Sequence, residues 1–312
     1  MKKWEDKRSI LKIATLYYNE GLTQAEIAKK MGISRPLVSK ILQEAKRTGI
    51  VEIYIKDEDA YSIALEMEIA KKYDLTEVII VPSQKSATEE ISKKNVGRAA
   101  ASYLTSILPK VKKIGISWGT TLAEFVDEMP FLQYPTVTVI PIMGGVGYLN
   151  VLYHSNHLAF LLAQKLNTTS TYFYAPALAD TKKLKENLLE SKMISVALSE
   201  GKDVDVAIVG VGNPVHSSTY RDLGYFTNRD IKELEEKGAI GDVAATFFDK
   251  DGRPVDTDVS SRMMGIELED LKNIPCVIAL ATGKEKSDSL KALLAQKVIN
   301  VLVIDQTAAD EL

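Results

Sequence analysis

The amino-acid sequence predicts two folded parts: a small all-α helix-turn-helix domain with a candidate wing over residues 1–56, then an α/β domain with a mainly parallel sheet over residues 57–312. Three observations carry this. A helix, tight turn, helix pattern spans residues 23–47. Strand-like and helix-like runs alternate from residue 77 onward, the mark of a parallel sheet with crossover helices. Charge is also unevenly divided: residues 1–56 hold 12 Lys and Arg against 6 Asp and Glu, the remainder 27 against 36. A basic module on an acidic body points to a polyanionic partner for the module alone.

In the first part, SILKIATLYY (9–18) sets Ile10, Ile13, Ala14 and Tyr17 at helical spacing, and Gly21 follows as a stop. Thr23 opens a second helix, with Glu26 three residues on to complete a capping box. Ala25, Ile27, Ala28 and Met31 supply its inner face. Gly32 permits a sharp turn, Ser34 opens a third helix, and Pro36 sits in its first turn, where a missing N–H is harmless. Val38, Ile41, Leu42 and Ala45 form the buried side of that helix, which ends before Gly49. This frees Arg35, Pro36, Ser39, Lys40 and Gln43 to face outward, with Thr23 and Gln24 at the start of the preceding helix. Such donors and acceptors suit base edges and phosphates of double-stranded DNA; Lys46 and Arg47, further along, suit phosphate. The plainer alternative is a three-helix bundle with a solvated basic face. IVEIYI (50–55) alternates as a strand and is the candidate wing.

A helical stretch at 63–73 follows the charged turn KDEDAYS, and the domain boundary is expected near residue 57. Strands are expected at 77–81, 113–117, 136–140, 205–210, 276–280 and 300–305, and helices at 93–107, 120–128, 155–166, 182–199, 230–237 and 287–296. Ligands of such sheets bind at the carboxyl ends of strands. Three strand exits carry candidate residues. IGISWGTT (114–121) offers Gly119 for close approach and Thr120 and Thr121 at a helix start, where free amides and hydroxyls suit an anion, though Thr120 could equally cap its helix. IPIMGGVG (140–147) offers paired Gly144 and Gly145, and IVGVGNP (208–214) a further glycine exit without dinucleotide spacing. Asp242 stands in apolar surroundings and suits sugar hydroxyls or a capping role. Lys284 or Lys286 could meet phosphate at a helix start, although a solvated charge is the simpler reading of either alone. DKDG (249–252) reads as a hairpin turn.

Other classes find less support. No run approaches the roughly 20 apolar residues of a membrane helix, and MKKWEDKRSI lacks the apolar block of a signal peptide. One cysteine, Cys276, in an apolar run, reads as a buried strand residue, so a cytoplasmic location is expected. His154, His157 and His216 have no metal spacing, packing being the better role for the first two; no nucleophile elbow or Walker loop occurs, and no metal or cofactor is expected.

Taken together, GLTQAEIAKKMGISRPLVSKIL (21–42), GISWGTT (115–121), GDVAATFFDKDGRPVDT (241–257) and INVLVIDQTAADEL (299–312) resemble the SorC family of bacterial sugar-responsive transcriptional regulators, along essentially the whole chain. The resemblance implies an effector domain like sugar-phosphate isomerase and deaminase folds, a phosphorylated sugar as effector, and a homo-oligomer, dimer or tetramer, whose DNA affinity the effector alters. By position, Gly119, Thr120 and Thr121 would hold the phosphate, Gly144 and Gly145 would line the pocket, Asp242 would meet sugar hydroxyls, and Lys286 would meet the phosphate from the other side. Arg262 falls at a matching basic position. One departure is informative: some members carry a basic residue just before the paired glycines, and in one a lysine there binds the sugar as an imine. Here that residue is Met143, which implies a reversibly bound ligand. Two other functions compete: a sugar-phosphate isomerase or deaminase with a DNA-binding appendage, against which VGVGNPVHSS lacks an Asp-Gly-His stretch, and a DNA-bound scaffold with a degenerate pocket.

Overall fold

The computed structural model describes residues 7–48, 50–51, 60–82, 88–145, 150–215, 220 and 224–312. The chain divides into two compact units between Ala60 and Tyr61. The boundary expected near residue 57 lies outside the described residues.

In the first unit, helices α1 (Lys7–Tyr18), α2 (Gln24–Met31) and α3 (Arg35–Arg47) form the expected bundle. The capping box is present: Thr23 Oγ1 accepts from the Glu26 amide at 3.3 Å, and the Glu26 carboxylate accepts from the Thr23 amide at 2.8 Å. Gly32 ends α2 in the left-handed region (φ 68°), where an L side chain is strained. Ser34 caps α3 by position without a side-chain hydrogen bond. Ile13, Ile27, Val38 and Ala45 are fully buried at the centre. Ala25, expected inward, is exposed, and Leu16 takes an inner place that the spacing did not assign. Of the candidate wing only Ile50 and Val51 are described, and they pack as a bend against the bundle; residues 52–55 lie outside the described residues.

The second unit holds α4 (Ala60–Tyr73, all but its first residue), β1 (Glu77–Val81), α5 (Glu89–Ile107), β2 (Lys113–Ile116), α6 (Thr120–Glu128), β3 (Thr138–Pro141), α7 (Ser155–Lys165), β4 (Thr169–Ser170), α8 (Lys182–Leu189), α9 (Lys192–Lys202), β5 (Val206–Gly212), α10 (Asn228–Glu236), β6 (Gly241–Val243), β7 (Thr246–Phe248), α11 (Leu268–Leu271), β8 (Cys276–Ala281), α12 (Ser287–Ala295), β9 (Val301–Asp305) and α13 (Gln306–Ala309). Seven strands pair in the order β1-β9-β8-β5-β2-β3-β4, every pair parallel. Such a sheet must be covered on both faces, and alternate residues divide accordingly. Ile208 and Leu280 join Leu104 and Phe125 in one apolar layer. Val209 and Ala279 join Ile69 and Leu293 in the other. Gly97 lets α5 lie against α6, since a Cβ there would sit 2.6 Å from the Phe125 amide nitrogen.

The chain winds outward from β2 through β3 to β4, and from β5 through β8 to β9 in the other direction. The reversal lies between β2 and β5, and ligands of open α/β sheets bind outside the carboxyl ends of strands at such a point. Expectation and structure differ in places. The helix expected over 182–199 is two, broken at Glu190 and Ser191, with Ser191 capping α9 by position. Strands β4, β6 and β7, of two or three residues, were too short for a periodicity to show. DKDG turns as expected, the Gly252 amide donating to the Asp249 carbonyl at 2.9 Å.

Candidate functional site

A pocket opens at the reversal point, walled by the ends of β2, β5 and β8. From β2 come Ser117, Trp118 and Gly119, then the first turn of α6. Gly119 adopts φ 131° and ψ 164°, a region open essentially to glycine alone. Its carbonyl accepts the first helical bond, from Ala123 at 3.0 Å. Helix geometry then leaves the amides of Thr120, Thr121 and Leu122 without intrahelical acceptors, at the positive end of the dipole. Gly119 itself is the cap residue, so Thr120 is not the cap, and both threonines border the pocket half-buried.

Asp242 arrives from the side. The β6–β7 hairpin hangs antiparallel on the end of β5, with Gly212 opposite Asp242. A Cβ at residue 212 would collide with the Asp242 carboxylate, so this glycine makes the place that the acid fills. Asp242 is 8% exposed and lines the pocket.

Lys286 closes the pocket from the start of α12. Although a solvated charge was the simpler expectation, it is 8% exposed, whereas Lys284 is exposed and stands apart. The intervening residues form a tight 3-10 turn after Gly283, at φ 90°, which turns Lys286 inward. Burial lowers the Lys286 ammonium from its ordinary value, while the charges of Asp242 and Glu285 pull it back up. Glu89 and Lys93 from α5 also line the pocket, ion-paired at 2.6 Å. Neither was picked out in the sequence; Lys93 was placed at the start of a helix that in fact begins at Glu89.

An aromatic cluster flanks this site. Tyr220 meets Trp118 edge-on at 4.4 Å and stacks on Phe226 at 5.2 Å. Its hydroxyl donates to the carbonyl of pocket-lining Ala244 at 3.0 Å. Complete burial and the Asp242 charge push that phenol well above its ordinary value.

Gly144 and Gly145 are not brought into this pocket's wall. A Cβ on Gly144 would collide with the Pro176 backbone, and one on Gly145 would meet Ser155 Oγ at 2.6 Å. They serve close packing in the surroundings shown here. Met143 before them is fully buried, its Sδ accepting from Ser117 Oγ at 3.2 Å. Arg262 likewise lies outside the pocket: it pairs with Asp230 at 3.1 Å and Asp258 at 3.0 Å and donates to the Ala179 carbonyl. It is a structural clasp at the start of α10. His154 is buried beside the rings of Trp118 and Tyr225; His216 lies outside the described residues. Cys276 is only partly buried at the first position of β8, and burial raises its thiol.

In the helical unit, Arg35, Pro36, Lys40 and Gln43 of α3 are exposed and Ser39 half-exposed. Arg47 turns back onto Glu44 of the same helix at 2.5 Å. Thr23 is exposed but occupied by its capping box, and Gln24 is half-exposed.

A helix-turn-helix unit joined to an α/β unit with a polar pocket at its switch point defines a ligand-responsive DNA-binding regulator. Comparison with known proteins agrees. Residues 58–312 match the Sugar-bind family profile, a sugar-binding domain, and residues 13–60 match a MarR family profile. The chain is 31% identical over 312 residues to the sorbitol operon regulator of Klebsiella pneumoniae, covering 99% of each. The crystal structure of that full-length regulator superposes with a TM-score of 0.75, covering 98% of both chains. This chain is also 31% identical to the deoxyribonucleoside regulator of Bacillus subtilis, covering 98% of this chain and 97% of that one. A DeoR family transcriptional regulator from Listeria monocytogenes is 39% identical over 80% of this chain and 98% of its own, with a TM-score of 0.75. This chain belongs to the SorC family of sugar-responsive transcriptional regulators, with its DNA-binding and sugar-binding parts in the expected order. No described helix is long and apolar enough to cross a membrane.

Proposed function

We propose that this regulator senses a phosphorylated sugar, bound without a covalent link, and that the bound sugar alters its affinity for operator DNA. The observation that carries the reading is the convergence of the uncapped first turn of α6 and the buried Lys286 on one pocket. Three backbone amides and a desolvated ammonium suit a phosphate far better than a neutral sugar. In this assignment Gly119, Thr120 and Thr121 hold the phosphate from one side and Lys286 from the other. Asp242 accepts from sugar hydroxyls. Met143 offers no amine beside the pocket, which supports reversible binding; a borohydride-trapped sugar adduct found by mass spectrometry would contradict this.

On the DNA side, α3 is assigned as the helix that enters the major groove. Arg35, Pro36, Ser39, Lys40 and Gln43 face the bases and phosphates, and Thr23 and Gln24 approach the backbone at the start of α2. A homo-oligomer, dimer or tetramer, would present paired α3 helices to half-sites, and the protein would act in the cytoplasm. The names of the relatives are those of regulators, which favours this reading over an isomerase or deaminase.

The test is a thermal-shift screen against pentose and hexose phosphates and the matching free sugars. A ligand that binds the native state must raise the melting temperature. A sugar phosphate is expected to stabilise the wild type, its free sugar far less, and Thr120→Ala and Lys286→Ala to lose the effect. Stabilisation by the free sugar alone would refute the phosphate assignment.

A further inference from the structure

The ion pair of Glu89 and Lys93 lies within the pocket wall, one turn apart at the start of α5. Its placement is fixed by the packing of α5 on α6. Gly97, one turn after Lys93 and on the same face, lies against the backbone of Glu124 and Phe125. Lys94 and Arg98 grip Glu128 of α6 at 3.6 and 2.7 Å. Lys93 therefore belongs to the same rigid surface as Thr120 and Thr121. Its side chain is 21% exposed, that of Glu89 66%. Lys93 first, and Lys286 as a further positive charge, hold the Glu89 carboxyl below its ordinary range. The Glu89 carboxylate, which the chain supplies itself, thus lies within the electrostatic reach of two pocket cations.

We propose that Glu89 is a resident counter-ion that a ligand phosphate displaces, and that Lys93, once released, becomes the second cation of the phosphate subsite. The inference rests on the phosphate reading of the pocket given above. It adds a specificity rule. A dianion makes about twice the Coulomb attraction of a monoanion to the two lysines. A monoanionic sugar acid must evict the same carboxylate and gains about half that attraction. The cost of evicting Glu89 is common to both anions, so the preference for phosphate esters over sugar acids comes from the charges of Lys93 and Lys286.

The test measures binding of inorganic phosphate and of gluconate to the full-length protein by titration calorimetry, at a pH where phosphate is mainly dianionic, for wild type, Glu89→Gln, Lys93→Gln and Lys93→Arg. Wild type is expected to bind phosphate and to bind gluconate more weakly. Glu89→Gln should tighten phosphate by about two- to fivefold, the range for a partly exposed ion pair, and gluconate by a similar factor, since both must evict the same carboxylate. Lys93→Gln should weaken phosphate by about tenfold or more, as expected for loss of a charged hydrogen bond. Lys93→Arg should retain most of the affinity, so a loss in Lys93→Gln is not mere misfolding. Phosphate binding by wild type that either the Glu89→Gln or the Lys93→Gln change leaves within twofold overturns this inference alone. Failure of the wild type to bind phosphate at all overturns it together with the pocket reading.

Discussion

Gly119→Ala separates the backbone argument from the side-chain argument. At φ 131° and ψ 164° an alanine must either bear the strain or shift the turn, at about 1–3 kcal/mol for a residue held in that region. For a unit of this size each kcal/mol lowers the melting temperature by about 2–4 °C, so the α/β unit should melt about 2–12 °C lower. If the turn shifts, the amides of Thr120 and Thr121 no longer converge with Lys286. The sugar-phosphate affinity should then fall by about tenfold or more, since each lost hydrogen bond to a charged group is worth about 1.5–3 kcal/mol. Gly238→Ala is the control, because Gly238 also has positive φ (74°), has open space where a Cβ would go, and is not in the pocket wall. Calorimetric melting with and without the sugar phosphate reads both effects: Gly238→Ala should lose stability but keep the ligand shift, and Gly119→Ala should lose both. A Gly119→Ala protein that melts like wild type, or keeps its full ligand shift, would refute the assignment of this turn as the phosphate cradle.

Other consequences can be measured directly. Because burial lowers the Lys286 ammonium from its ordinary value, its attraction for phosphate is complete below that lowered value and is lost as pH rises through it, earlier than for an ordinary lysine. Sugar-phosphate affinity measured across alkaline pH should fall in wild type and stay level in Lys286→Arg; a level wild-type profile would contradict this. Arg262→Ala breaks the pair with Asp230, whose side chains are 13% and 10% exposed, and should cost about 3 kcal/mol, the lower end for a buried pair. A urea denaturation curve reads that loss, and ligand affinity should remain, since Arg262 lies outside the pocket wall. Lys40→Ala should weaken DNA binding and reduce the slope of log affinity against log salt by about one; an unchanged slope would remove Lys40 from the phosphate contacts.

The sequence made some of this legible and hid the rest for physical reasons. The bundle could be read because capping chemistry and apolar spacing agree: Thr23 with Glu26, Gly32 at the turn, and the inner faces of Ile27 and Val38. The long parallel strands were visible as apolar runs, and α6 was placed with its observed ends because Gly119 leaves so clear a break. Lys286 was undervalued, since its burial depends on the turn after Gly283 and on the packing of α12, which no local pattern expresses. Lys93 was missed because its place in the pocket wall depends on Gly97 bringing α5 onto α6. The partnership of Gly212 and Asp242 is a cross-strand contact with a hairpin too short to show a period. Gly144 and Gly145 look in sequence like any glycine-rich strand exit, and only the approach of Pro176 and Ser155 distinguishes packing from a pocket wall.

The measurement that tests the central claim most directly is operator affinity, by fluorescence anisotropy on a DNA duplex selected by the protein itself, with and without the sugar phosphate that stabilises it. Linked binding predicts a change of about five- to 150-fold at saturating ligand, with an equal change in ligand affinity when DNA is bound. DNA affinity that stays the same at saturating sugar phosphate would contradict the account, whatever the pocket binds.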